Sequence, residues 1–231
     1  MTKLRSILFY FGQAASTIPF LFISIIALLV PAYRRSELIA GWAKFVIWWL
    51  KITCGLKHQV SGETNIPQTP CVFACAHQST WETISTQTFL PPLAWVLKKE
   101  LLKIPFFGWG LWATGPIAID RSDRRRALDQ VIEQGVKKFE ERRYVLIFPE
   151  GTRTPYGEKG RYKKGAAQLA KAGNVPIVPI AHNAGKFWSN TSPWIKPGVI
   201  DCVFGPKINT KDKTDQEITD EIQSWIESQN L

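Results

Sequence analysis

The chain has 231 residues, 45% hydrophobic and 12% aromatic, with 29 Lys and Arg against 19 Asp and Glu for a formal charge of +10. This composition excludes a disordered, fibrous or low-complexity chain, and the length suits one well-filled core. The four cysteines, Cys54, Cys71, Cys75 and Cys202, show no CxxC spacing and are too sparse for a disulfide scaffold. Cys71, Cys75 and His77 do not make a zinc pattern either, so the thiols read as reduced, in a cytosol-facing protein. The charge gathers in two blocks. Residues 1–60 hold seven basic and one acidic residue, and residues 121–180 hold fourteen and seven. Each block calls either for an anionic partner (nucleic acid, a membrane surface or a phosphorylated substrate) or for a bland account as solvated surface.

Ser6 to Tyr33 is free of charge and is flanked by Lys3, Arg5, Arg34 and Arg35. It is long enough for a transmembrane helix, which needs about 20 apolar residues. Gly12-Gln13 and Pro19 interrupt it, which confines the strongly apolar part to Ile18–Tyr33. A second helical segment, 38–53, places Leu38, Trp42, Phe45, Val46 and Trp49 at helical spacing, with Trp residues suited to a membrane–water interface. Three arrangements fit: a signal peptide, a single spanning helix, or two helices lying in one leaflet. No cleavage site follows, and basic flanks on both sides carry little orientation signal, so the pair of embedded helices is favoured.

Beyond Gly55 short apolar runs alternate with helical segments. Strands are expected at 71–76, 94–97, 117–119, 144–148, 176–181 and 199–204. A helix over 123–141, capped by Ser122, repeats Leu128, Val131, Ile132, Val136 and Phe139. A last helix near 215–228 opens with a capping box, Thr214 and Glu217, and buries Ile218, Ile222 and Trp225. The alternation predicts an α/β domain, a mostly parallel central sheet flanked by helices, over residues 55–231, behind a two-helix membrane-associated segment over 1–54. The two prolines of Val175–Ile180 predict an edge or kinked strand.

His77-Gln-Ser-Thr-Trp-Glu82 follows the apolar strand 71–76. On one regular helix the two outer residues would diverge by about 140°. They meet only if His77 lies in the turn and Glu82 in the first helical turn; the carboxylate then orients the imidazole as a general base. A helix start where His77 merely packs gives the same spacing. Phe148-Pro-Glu-Gly-Thr-Arg153 follows strand 144–148 and opens a loop rich in glycine and basic residues, through Lys163 and Lys164 to Gly165. Arg153 is suited to a bidentate phosphate contact, though a solvated basic loop has the same composition, and no Walker A order is present. Lys103–Trp112 is aromatic and nearly uncharged. It fits a bilayer contact, an acyl tunnel or ordinary core, the last favoured for Trp112. His58 has no nearby acid and reads as paired locally. His182 could line the site, though a satisfied strand-end histidine is the favoured reading.

These segments, in order with Gly115–Arg121 and Val175–Ile180, resemble the lysophospholipid acyltransferase family over residues 55–205, most closely its bacterial 1-acylglycerol-3-phosphate acyltransferases. The usual HxxxxD block stands here as His77…Glu82. The resemblance implies acyl transfer from acyl carrier protein or coenzyme A to the 2-hydroxyl of lysophosphatidic acid. It implies His77 as general base, Glu82 as its orienter, and phosphate binding by Lys98, Arg121, Glu150, Gly151, Thr152 and Arg153. It implies no metal or prosthetic group, and a place on the cytoplasmic face of the inner membrane. Arg124, Arg125 and Arg126 open a helix against its dipole; they are expected to face the membrane or acidic carrier protein, with a solvated arginine surface as the alternative. Another lysolipid acceptor and a non-catalytic lipid binder are the alternatives. A nucleic-acid binder finds no recognition motif.

Overall fold

The computed structural model describes residues 1–231 apart from Pro91, Phe106 and Arg121. For Ala32, Tyr33, Arg34, Ser36, Leu38, Ile39, Phe107, Arg124 and Arg125 it describes the backbone alone. Two long helices lead, α1 (Thr2–Ile26) and α2 (Ala32–Cys54). Then follow β1 (Leu56–Ser61), β2 (Val72–Cys75), α3 (Trp81–Phe89), β3 (Leu93–Lys98), α4 (Phe107–Ala113) and β4 (Ile117–Ile119). The chain continues through α5 (Arg124–Glu140), β5 (Tyr144–Ile147), α6 (Gly165–Ala172) and β6 (Ile177–His182). It closes with α7 (Ala184–Phe187), β7 (Gly198–Phe204) and α8 (Asp215–Ser228).

Among the described residues the strands form one sheet in the order β1-β7-β6-β2-β5-β3-β4. All its pairings are parallel except β6–β7. Alternate residues of the central strands point to opposite faces. Phe73, Leu146 and Val178 pack with Val46 and Leu50 of α2 and Trp81 of α3. Val72, Val145 and Ile177 pack on the other face with Val131 of α5, Leu169 of α6 and Ile218 and Ile222 of α8. The expected α/β sandwich is therefore present, and all six expected strands are found within a residue or two. The capping box on α8 is formed in both directions.

Three expectations need correction, and one strand was not expected. The β6 strand lies inside the sheet, not at an edge. Pro179 sits where its outer partner changes: Ile177 pairs with Ile208, and Pro179 only accepts, from the Gly205 N–H. No donor is demanded of the proline there. Asp123, not Ser122, caps α5, accepting from the Arg126 N–H, while Ser122 bonds back to Asp120. Trp112 is exposed, as is Trp109, and both line an open apolar groove of about 290 Å³ with Ile25, Leu28 and Leu102. The edge strand β1 has only Leu56 and Val60 as apolar residues and gave no periodic signal. His58 rests on Trp81 and Phe89, and burial pushes its imidazole pKa down.

The N-terminal segment differs most. α1 runs unbroken through Gly12 and Pro19. The chain breaks instead before Pro31, where Val30 is extended, as the residue preceding a proline tends to be. Gly12 belongs to the packing: a Cβ there would lie 2.2 Å from Trp49 Nε1. Trp42 Nε1 donates to Ser16 Oγ at 3.1 Å, and Trp49 Nε1 to Leu8 O at 3.3 Å. α1 also holds the core of the sheet domain. Phe9 stacks edge-on to Trp188, Tyr10 Oη donates to Pro193 O at 2.9 Å, and Ser6 Oγ accepts from the Ile195 N–H at 2.9 Å. Its outward stripe is Leu4, Ile7, Phe11, Ile18, Phe22 and Ile26, all exposed, whereas Ser6, Ser16 and Ser24 face the protein. That is the reverse of a water-facing amphipathic helix. Thr2–Leu29 is long and apolar enough to cross a membrane.

Candidate active site

The parallel strands β6, β2, β5, β3 and β4 end on one edge of the sheet, the edge at which α/β folds build their sites. It carries His182, His77, Phe148, Lys98 and Asp120 in turn. Arg121, expected there, lies outside the described residues.

His77 sits in the turn after β2, and Glu82 lies in the first turn of α3, as the spacing required. Their contact is direct, His77 Nδ1 to Glu82 Oε1 at 2.8 Å. The same oxygen accepts the N–H groups of Gln78 (2.9 Å) and Ser79 (2.7 Å), and Ser79 Oγ accepts from the Trp81 N–H. Ser79 and Glu82 thus tie the turn that carries His77 to the start of α3. One carboxylate closes the helix start and grips the imidazole, and its charge suits the helix N-terminus. Burial alone would push the Glu82 carboxyl up. The His182 ring, the His77 bond and the Ser79 N–H outweigh it and hold the carboxyl below its usual range. A carboxylate accepting from Nδ1–H leaves Nε2 without a proton, as a base must be.

The FPEGTR segment reaches His77 from the neighbouring strand. Phe148 stacks on the imidazole with ring centroids 3.9 Å apart and planes 13° from parallel. Glu150 Oε1 accepts the His77 N–H at 3.2 Å, and the Thr154 N–H donates to His77 O at 2.7 Å. Glu150 was expected among phosphate ligands. Its carboxyl is turned inward, buried, and pushed up to about 7, chiefly by burial. Gly151 adopts φ +71°, and a Cβ there would lie 2.5 Å from Lys163 Nζ. The lysine head therefore lies across the glycine backbone, a contact only glycine permits. Thr152 and Arg153 are exposed on the loop beyond. Lys98, also exposed, ends β3 and lies 3.8 Å from Glu100. His77, Glu82 and Glu150 are thus brought together, Gly151 is brought to Lys163, and Lys98, Thr152 and Arg153 stand at the rim.

His182 is buried at the end of β6, its Nε2 2.8 Å from Ala76 O. Among the described residues no group of three His, Cys, Asp or Glu side chains could hold a metal ion, and the four thiols are free and buried. Burial pushes the Cys75 thiol far up, so it supplies no thiolate nucleophile. The arrangement can take a proton from a hydroxyl at His77 Nε2 beside a basic, exposed loop.

Residues 57–183 match the Acyltransferase family. A Pseudomonas aeruginosa 1-acyl-sn-glycerol-3-phosphate acyltransferase is 40% identical over 229 residues, 96% of this chain and 89% of its own. The Escherichia coli protein of the same description is 38% identical over 140 residues, 58% of this chain and 53% of its own. The fold matches the crystal structure of a Thermotoga maritima 1-acyl-sn-glycerophosphate acyltransferase with a TM-score of 0.79 at 20% identity, covering 100% of this chain and 96% of the other. The chain belongs to the acyltransferase family.

Proposed function

We propose that this protein moves a fatty acyl group from a thioester, on acyl carrier protein or coenzyme A, to the 2-hydroxyl of lysophosphatidic acid, yielding phosphatidic acid. The His77 Nδ1–Glu82 Oε1 contact at 2.8 Å carries the proposal. His77 Nε2 accepts the hydroxyl proton as the oxygen attacks the thioester carbonyl, and Glu82 stabilises the imidazolium that forms. The tetrahedral intermediate then expels the thiolate, which regains the proton from His77. Atoms and charge balance with no acyl-enzyme, metal or prosthetic group. The acceptor's phosphate falls to Arg153, Lys98, Arg121, Thr152 and the Gly151 backbone. Lys163, which lies over Gly151, joins them. Glu150 is left out of the proposed set because its buried carboxyl is bound to the His77 backbone instead of standing at the rim.

The relatives' names support the acceptor. The outward stripe of α1 supports a membrane-embedded enzyme: each Leu, Ile or Phe at bilayer depth contributes about 0.3–0.6 kcal/mol. A cytosolic donor places the site on the cytoplasmic face. The test is an assay with labelled acyl donor on wild type and His77→Ala, against lysophosphatidate and a panel of other lysolipids. Transfer to lysophosphatidate that collapses in the variant supports the proposal. Preference for a phosphate-free lysolipid, or transfer that survives the variant, overturns it.

A further inference from the structure

His182 is a buried titratable group with no assigned task, and its surroundings give it one. The β2–β6 ladder ends with the Ala76 N–H on Ile180 O. The next carbonyl in line, Ala76 O, immediately precedes His77, and the His182 ring takes it, Nε2 to O at 2.8 Å. The other nitrogen, Nδ1, accepts the Ala184 N–H at 3.3 Å. Two backbone partners therefore settle the tautomer, with the proton on Nε2 and none on Nδ1. A second ring proton would cost the Ala184 bond, and burial pushes the imidazole pKa down. The ring packs edge-on against Trp81, the residue before Glu82, with centroids 5.5 Å apart. Its Nε2 edge lies 3.9 Å from Glu82 Oε2, a buried atom with no hydrogen-bond partner among the described residues. The chain just beyond His182 joins the same turn, the Gly185 N–H donating to Gln78 Oε1 at 3.2 Å.

We infer that His182 is a positioning residue of the acyl transfer: its Nε2–H fixes the carbonyl ahead of His77 and faces the second oxygen of Glu82, so that one neutral ring sets both members of the dyad. Neutrality matters because a cation there would compete with the His77 imidazolium for the Glu82 charge. The inference rests on His77 and Glu82 being the catalytic dyad. A dyad displaced by about 1 Å loses rate on the order of a hundredfold, without loss of substrate binding.

The experiment measures kcat and KM for lysophosphatidate and acyl donor in His182→Asn and His182→Gln, with unfolding temperatures alongside. The Asn amide offers Ala184 an acceptor but is too short for Ala76 O, whereas the Gln amide reaches it. The expected result is a 10- to 100-fold fall in kcat for His182→Asn with both KM values within about twofold, and recovery of most of that loss in His182→Gln. In a Glu82→Ala background His182→Asn should cost clearly less rate than in wild type, because the part of its task that acts through Glu82 is gone. Wild-type kcat in His182→Asn, a loss confined to KM, equal losses in both variants, or an additive loss without Glu82 would each overturn the inference. His77→Ala in the same assay separates the two levels. If that variant is active, the dyad assignment itself fails. If it is inactive while His182→Asn matches wild type, only His182 is wrongly assigned.

Discussion

The two halves of the site are built on opposite principles. Around His77 the backbone from Ala76 to Ser79 is bonded through His182, Glu150, Glu82 and Thr154, and the side chains that do it are buried or nearly so. Around Arg153 the side chains stand in solvent on a glycine-bearing loop. A base must hold a fixed direction, and water would compete with every bond that holds it. A phosphate-capturing group works at longer range and tolerates mobility. The buried half should therefore govern turnover and the exposed half saturation.

His77→Ala is the largest expected effect, a fall in kcat of about 10²- to 10⁴-fold, the range for loss of a general base. Its KM for lysophosphatidate should stay near wild type. A variant that instead saturates poorly and turns over normally would dissolve the contrast between the halves.

Glu150 tests where the boundary runs, because it stands in the exposed half's motif but is directed into the buried half. Glu150→Ala strips the acceptor from the His77 N–H and should lower kcat by about 10- to 100-fold, with KM little changed. Glu150→Gln keeps that acceptor and should turn over near the wild-type rate. A raised KM in the Gln variant would move Glu150 back among the acceptor's ligands. Stability makes a second check. A carboxyl raised from 4.5 to about 7 favours its protonated form in the fold. Its contribution is thus fully present below about pH 4.5 and is lost as pH rises through about 7. Between pH 5 and 8.5 wild type should lose up to ~3 kcal/mol relative to Glu150→Gln, read from paired denaturant titrations.

The same division explains how far the amino-acid sequence alone could be followed. Much of the sheet announces itself, because runs such as Tyr144–Ile147 and the stripe of α5 express burial through periodicity, whereas β1 gives no alternation and α2, which packs on the sheet, reads as a membrane helix. The contact between His77 and Glu82 is one of the two arrangements that the spacing allows, and turn geometry states where each residue must lie for it to form. The inward turn of Glu150 has no sequence signal, because a motif states which residues recur, not which way each points, and its partner is a backbone N–H 73 residues away. His182 reads from sequence as a satisfied strand-end histidine or a site-lining one. It is satisfied, but by the carbonyl beside His77, a long-range contact with no local pattern. Pro19 looked like a break and Pro31 did not, since the packing of Trp49 on Gly12 that carries α1 onward is tertiary. The inverted face of α1 could have been found by marking its serines at helical spacing beside its leucines and isoleucines.

Arg153→Ala should have the smallest of these effects and the most diagnostic form. A charge-assisted contact to phosphate is worth about 1.5–3 kcal/mol, and solvent exposure puts this one at the low end, so KM for lysophosphatidate should rise about tenfold with kcat nearly unchanged. Because the contact is exposed, the wild-type KM should itself climb with added salt as the Debye length shrinks from about 10 Å at 0.1 M to about 3 Å at 1 M. The KM of Arg153→Ala should climb less steeply, having one charge fewer to screen. The His77→Ala defect in kcat should not respond to salt, since it lies in the buried half. Equal salt slopes in wild type and Arg153→Ala would mean that Arg153 faces solvent rather than the acceptor, and that Lys98 or Lys163 carries the phosphate in its place.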